Sequence, residues 1–224
     1  VLALVGVLLV GCGGSGSSEN GVAAKAPSEI VSATKAAAVG ASAVHVSGSI
    51  VSGGVPISID LHLVAGQGGK GQISQNGLSF QLIQVGGYAY ISGSSAFYSH
   101  FAGPAAAQLL QGKWLKASAT TGSLATLSSL TDLHRLLASA LAPTGATLTK
   151  GSVTTVEGQR AVPVTDTSAS GGTLYVATTG KPFPVQISKS GAGGGKIVFS
   201  EWDKPVTLTA PANSVDLSQL QHGG

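Results

Sequence analysis

The chain has 224 residues, 43% of them hydrophobic, 5% aromatic and only 9% charged, with 33 glycines and one cysteine. Soluble domains usually carry about a quarter charged residues, so this surface must be built from Ser, Thr, Gln and backbone, over a length that suits one domain with a sizeable core. A net charge of +3 from 12 basic and 9 acidic residues without a basic run excludes a phosphate-neutralising surface, and one cysteine excludes an intrachain disulfide or a CxxC-type metal site.

Val1 to Gly11, VLALVGVLLVG, is apolar and uncharged. A membrane-spanning helix needs about 20 such residues, so this run reads as the hydrophobic region of an export signal whose basic start would precede Val1. Leu9-Val10-Gly11-Cys12 resembles the bacterial lipobox. That resemblance implies diacylglycerylation of the Cys12 thiol, cleavage just before it, and a palmitate-type lipid anchor. Residues 12–27, with GGSGSSENG after the cysteine, have the composition of a flexible tether. The folded domain is therefore expected over residues 28–220.

Ser28-Glu29-Ile30-Val31 starts a helix expected to reach Gly40, with Ile30, Val31, Thr34, Ala37 and Ala38 on one face. The period then changes to two. Val44 to Ser47 opens a strand, Gly53-Gly54 turns it, and VPISIDLHLV alternates, with Val55, Ile57, Ile59, Leu61 and Leu63 on one face and Pro56, Ser58, Asp60 and His62 on the other. A turn over residues 66–69 and the hairpin signal Asn76-Gly77 bound a short strand at 71–75. Leu78, Phe80 and Leu82 mark the next strand, and Tyr88 to Ile91 another. AFYSHFAGPAAAQLLQG holds one or two short helices. Leu124, Leu127, Leu130, Leu133, Leu136, Leu137 and Leu141 then repeat at helical spacing up to Pro143, with a break near Thr131-Asp132 where Thr131 is the expected cap. Strands return at 146–156, 160–166, 173–178, 183–189 and 196–203, followed by an extended, polar tail. This order predicts an α+β fold, helices laid over one face of an antiparallel sheet.

The motifs of covalent chemistry are absent: the sequence has no GxSxG, HExxH or Walker motif, and its Gly-rich turns do not open a helix after a buried strand as a dinucleotide-binding fingerprint requires. Of the five histidines, His45 and His62 fall on the solvent phase of strands, and His100, His134 and His222 lie apart from them. Asp60 and His62 share a strand face, a pairing to which a Ser-rich sequence lends no weight. Glu201 and Asp203 share a face of the last strand with Trp202 on the other, and read as edge solvation rather than an acid–base pair. The expectation is a non-enzyme without cofactor or metal. What the strands do supply is apolar area, which either packs as a solid core or encloses a space for an acyl chain; periodicity does not separate the two.

Gly172-Thr173-Leu174-Tyr175-Val176, Thr179-Gly180-Lys181-Pro182, Val198-Phe199-Ser200-Glu201-Trp202 and Ala210-Pro211 together resemble the mycobacterial LppX/LprA/LprF/LprG lipoproteins. VHVSGSI at 44–50 and GKWLK at 112–116 agree, and Ala177 stands where the family's LYVD stretch ends in Asp. The likeness runs over roughly residues 28 to 217. It implies a LolA/LolB-like antiparallel half-barrel covered on its concave face by helices. It also implies a cavity for an acylated lipid or lipoglycan, in a monomeric protein of an actinobacterial envelope held to the extracytoplasmic membrane face through Cys12. Strand alternation marks Ile57, Ile59, Leu61, Leu63, Phe80 and Leu82 as cavity residues, facing Leu130, Leu133 and Leu137 on the helix. The rival expectation is a non-catalytic envelope module with a solid core that binds another protein.

Overall fold

Apolar residues that alternate over eight to ten positions are buried together only when strands pair into a sheet with one covered face. The computed structural model describes residues 18–121, 128–142, 147–169, 171–191 and 193–217. The signal-like run, Cys12, and Leu124 and Leu127 of the leucine repeat lie outside the described residues. After helix α1 (Pro27–Val39) come β1 (Ala43–Ser52), β2 (Val55–Val64), β3 (Gly68–Gln75), β4 (Leu78–Val85) and β5 (Tyr88–Gly93), a meander of hairpins. Helix α2 (Ser95–Leu110), β6 (Leu115–Ser118) and the helices α3 (Ser128–Thr131) and α4 (Leu133–Ala140) follow. A second group of strands is β7 (Leu148–Lys150), β8 (Thr154–Val156), β9 (Gln159–Asp166), β10 (Thr173–Ala177), β11 (Pro184–Lys189) and β12 (Gly195–Ser200), with β13 (Val215–Asp216) at the end.

All of these strands join one sheet in the order β13-β6-β5-β4-β3-β2-β1-β12-β11-β10-β9-β7, with β8 also on β9. The two meanders meet where β12 pairs antiparallel with β1, Phe199 opposite Val46. Only β13 and β6 pair in parallel among the described strands. No pairing among them joins β13 to β7, so the sheet stays open, as an antiparallel half-barrel with helices over one face.

Local chemistry sets the element ends. Asn76 (φ 51°) and Gly77 (φ 75°) adopt the left-handed pair that a two-residue hairpin requires. Strand β3 begins at Gly68 inside the expected turn, because its glycines admit the Gln84 backbone and the Leu63 side chain where a Cβ would collide. Helix α1 starts at Pro27, and the Ala26 N–H donates to Glu29 Oε2 at 3.0 Å. Ser94 caps α2 by accepting from Phe97 N–H, and the chain bends at Gly103 (φ 84°, ψ 165°) before Pro104, so α2 is two short segments. The cap of α4 is Asp132, whose Oδ1 accepts from Arg135 N–H at 3.0 Å; Thr131, the expected cap, ends α3 and donates to Gln84 Oε1. The last long strand stops at Ser200, because Glu201 (φ 52°) and Asp203 (φ 60°) turn the chain.

Packing begins earlier than residue 28. Val22 is buried, the Asn20 amide donates to the carbonyls of Ala177 and Gly180, and Lys150 Nζ donates to those of Ala23 and Lys25. Residues 19–26, expected as free tether, are therefore strapped across the β9–β10 end of the sheet. Beyond it, Ile30 of α1 packs with Val22 on Val162, Val164 and Val176. At the middle of the sheet Leu133, Leu137 and Leu141 join Ala38 over Val44, Leu61, Leu63 and Phe199. Toward the far edge, Leu82 packs with Ala89, Ile91 and Ala119.

Leu63 is wholly enclosed in that central packing. Leu63→Ala is expected to lower unfolding stability by about 2–5 kcal/mol, read from urea denaturation, as for other buried Leu→Ala changes.

Candidate functional site

Cross-strand register places one row of residues side by side on the helix-covered face: Ile187, Ile197, Gly48, Ile59, Ile73 and Phe80, across β11, β12, β1, β2, β3 and β4. Gly48 leaves a gap in the middle of this row, and a Cβ there would sit 2.1 Å from the Lys196 carbonyl oxygen. One row toward α4 lie Phe199, Val46, Leu61, Gly71 and Leu82; one row away lie Ile50, Ile57 and Gln75. Burial falls steadily along this direction. Leu63 and Leu61 are closed off from solvent, Ile59 and Ile57 are half-buried, and Ile50 is 40% exposed.

The cause is uneven cover. Helix α4 seats its leucines on the Leu61/Leu63 end and leaves the rest of the face unfilled, which opens a cavity of about 730 Å³. The Ile row and its neighbours form the floor; Leu130 of α3 and Leu136, Ser139 and Ala140 of α4 form the opposite wall. Two exposed polar residues, Gln75 and Arg135, also line it. A smaller cavity of about 160 Å³ shares Ala140 and Ile187 as wall and reaches Val31, Val164 and Leu174.

Of the residues marked from sequence, Ile57, Ile59, Leu61, Phe80 and Leu130 line the large cavity. Leu63, Leu133 and Leu137 lie instead in the central packing, and Leu82 in the cluster beside β5. Alternation separates the two faces of β2 and β4, and the position of α4 decides which part of the helix-covered one is filled. On α4 itself Leu136, one step round from Leu137, borders the space. Ile73 reaches Ile59 through the β2–β3 hairpin, whereas Ile187 and Ile197 are floor residues that no local signal brings there. Their neighbourhood follows from the pairing of β12 with β1.

No protein-family model and no curated protein sequence matches the chain. Among solved structures it is similar to LprF from Mycobacterium bovis, with a TM-score of 0.59 at 15% identity, covering 83% of this chain and 97% of that one. It is likewise similar to the lipoprotein LppX of Mycobacterium tuberculosis, with a TM-score of 0.54 at 19% identity, covering 82% and 98%. The protein thus has the α+β open half-barrel fold of LprF and LppX, the resemblance that the second-half motifs carry. Among the described residues no helix is long and apolar enough to cross a membrane.

The opposite, polar face of the sheet has its own order. His45 and His62 are direct cross-strand partners on β1 and β2, their rings stacked at 4.2 Å and 8°. His45 Nε2 meets Asp60 Oδ1 at 2.8 Å, and its Nδ1 meets Ser200 Oγ at 3.2 Å. His62 Nδ1 lies 3.8 Å from Glu201 Oε2. The Ser–His–Asp row that sequence reading could not assemble is therefore present, yet it lies on an open sheet face. The backbone on which His45 stands is paired on both sides, with β2 and with β12. Glu201 and Asp203 do not act as a pair: Glu201 Oε1 meets Lys204 Nζ at 3.3 Å, and Asp203 Oδ2 meets Lys181 Nζ at 2.7 Å.

Partial burial, then the neighbouring His45, hold the His62 pKa below the ordinary imidazole value of 6.5; Lys70 adds to this, while Glu201 and Asp60 oppose it. The unfolded chain then binds this proton more readily, and stability is lost as pH falls through 6.5 toward the lowered folded value. Melting temperature in chelator-containing buffer is expected to drop across that window, and His62→Gln to flatten the drop.

Proposed function

We propose that the protein is a lipid-anchored, extracytoplasmic lipoprotein that binds the acyl part of a lipid or lipoglycan in the cavity between sheet and α4, as a monomer and without covalent chemistry. The observation that carries this reading is the space itself. A cavity of about 730 Å³ lies beside a solid core and is walled by branched aliphatics, with Gln75, Arg135 and Ser139 as its polar lining residues. Cavities of a few hundred to about 1,000 Å³ are the size that holds small apolar ligands. Each methylene that leaves water for such a wall gains about 0.8 kcal/mol, so an acyl chain is held strongly without directional contacts.

The residues divide the work. Ile57, Ile59, Ile73, Ile197 and Phe80 give the chain a smooth apolar floor, with Leu130 and Leu136 as the facing wall. Arg135, exposed at the same cavity, offers a guanidinium to a carboxylate or phosphate of a head group. The lipobox-like Leu9 to Cys12 would fix the chain to the membrane, and the Gly/Ser segment after it, shortened by the strapping of residues 19–26, would let the domain stand off the surface. The fold likeness to the lipoprotein LppX supports the same reading.

The test is native mass spectrometry and solvent extraction of the full chain carrying Cys12→Ser, followed by binding of a fluorescent fatty acid. One acyl ligand per chain is expected. Ile59→Trp, which fills the floor where the sheet is half-covered, is expected to weaken probe binding at least tenfold while the circular dichroism spectrum and cooperative melt persist. Undiminished binding in folded Ile59→Trp, or a wild-type chain that neither retains nor binds an acyl ligand, would overturn the proposal and favour a protein-binding module.

A further inference from the structure

We propose that His45, Asp60 and His62, on the outer face of the sheet, form a binding site for a borderline divalent transition-metal ion such as Zn²⁺, separate from the cavity. Two imidazoles and a carboxylate are the donor set that such ions take in preference to Mg²⁺ or Ca²⁺, which favour oxygen ligands alone. One ligand atom from each of the three residues lies within 4.8 Å of the others. Bound donors around Zn²⁺ stand about 2.0–2.2 Å from the ion, so the imidazoles, now stacked at 8°, must turn out of the stack about their side-chain bonds to aim both nitrogens at one ion.

The scaffold behind these donors is rigid. β1 and β2 pair without interruption from Ala43–Val64 to Ser52–Val55, in the middle of the sheet, which fixes the His45 and His62 backbones opposite each other. Asp60 lies two residues from His62 on the same strand face, next to Ser47 across the ladder. Ser200, opposite His45 on β12, meets His45 Nδ1 and leaves Nε2 turned toward Asp60, an outer contact of the kind that orients a metal-binding imidazole. Glu201 Oε2, 3.8 Å from His62 Nδ1, is a second carboxylate beside the pair.

The charges facing the cluster are few and already engaged. Lys70, opposite His62 on β3, donates its ammonium to the Thr207 carbonyl at 3.0 Å, and Lys204 pairs with Glu201. Asp60 and Glu201 therefore balance two lysines, and an incoming divalent ion adds to a locally near-neutral surface. His45 is about one-fifth exposed and His62 about one-third, while Asp60 is open to solvent, so an ion reaches the donors without any rearrangement of the sheet. The same openness would leave the remaining coordination positions to solvent.

The experiment is Zn²⁺ titration by calorimetry into the untagged full chain carrying Cys12→Ser, which removes the competing thiol. One Zn²⁺ per chain is expected at pH 7.5, with a rise in melting temperature that Mg²⁺ does not give. His62→Gln and His45→Gln are each expected to weaken binding at least tenfold, and Asp60→Asn less. A wild-type chain without Zn²⁺ heat, or equal Zn²⁺ affinity in folded His62→Gln, overturns the proposal. Imidazole NMR of the wild-type chain tests it independently of whether the variants fold. Zn²⁺ must shift His45 and His62 resonances first; shifts confined to His100, His134 or His222 overturn it.

Discussion

The structure depends on a mismatch of lengths between a sheet face and its cover. An eight-residue helix spans about 12 Å, whereas a ten-residue strand runs about 33 Å. Helix α4 can therefore close only part of the face that β1 and β2 present. It settles where its own leucines find Leu61, Leu63 and Phe199, and the remaining length of apolar strand is left facing open space. A solid core and a cavity are thus two ends of one surface, distinguished by which residues the helix reaches.

The seam between β1 and β12 is what makes that surface wide enough to matter. Each meander alone would bring only its own side chains to the helix face. Joined antiparallel, with Ile197 beside Gly48 and Phe199 beside Val46, they produce an apolar row from β11 to β4 that is interrupted by a side chain's absence at Gly48 alone. The straps that hold the ends in place are polar and local. Asn20 and Lys150 tie the N-terminal segment to the β9–β10 end, Asp203 holds the Ser42 turn and Lys181, and Lys70 catches the returning C-terminal tail at Thr207. Aliphatic burial thus builds the sheet interior, and hydrogen bonds at the margins keep the open half-barrel from fraying.

Strict alternation gives the two faces of the sheet different chemistry on the same strands. Val46, Leu61 and Leu63 point to the helices, so His45, Asp60 and His62 between them must point away. The pairing register then brings the two imidazoles together in a stack. A face that appears in sequence as ordinary polar spacing becomes, once paired, a concentrated set of nitrogen and oxygen donors on a rigid platform. The apolar side offers volume with a few polar groups at its lining, and the polar side offers a cluster of donors.

The class of fold, the hairpins and the apolar phase of each strand are legible in the amino-acid sequence, because these depend on neighbours in the chain: the period of two in VPISIDLHLV, the Asn76-Gly77 turn, the helical spacing of the leucines after Leu130. The same pattern also contained five of the residues that line the cavity, Ile57, Ile59, Leu61, Phe80 and Leu130. The tertiary structure alone decided that Leu63, Leu82, Leu133 and Leu137 pack solid while Leu136, Ile73, Ile187 and Ile197 border the space. It alone decided that residues 19–26 are held and that His45 meets His62, Asp60 and Ser200. The physical reason is the same each time: periodicity gives the side on which a residue lies, whereas filling, strapping and cross-strand contact depend on which distant element arrives there and how far it reaches.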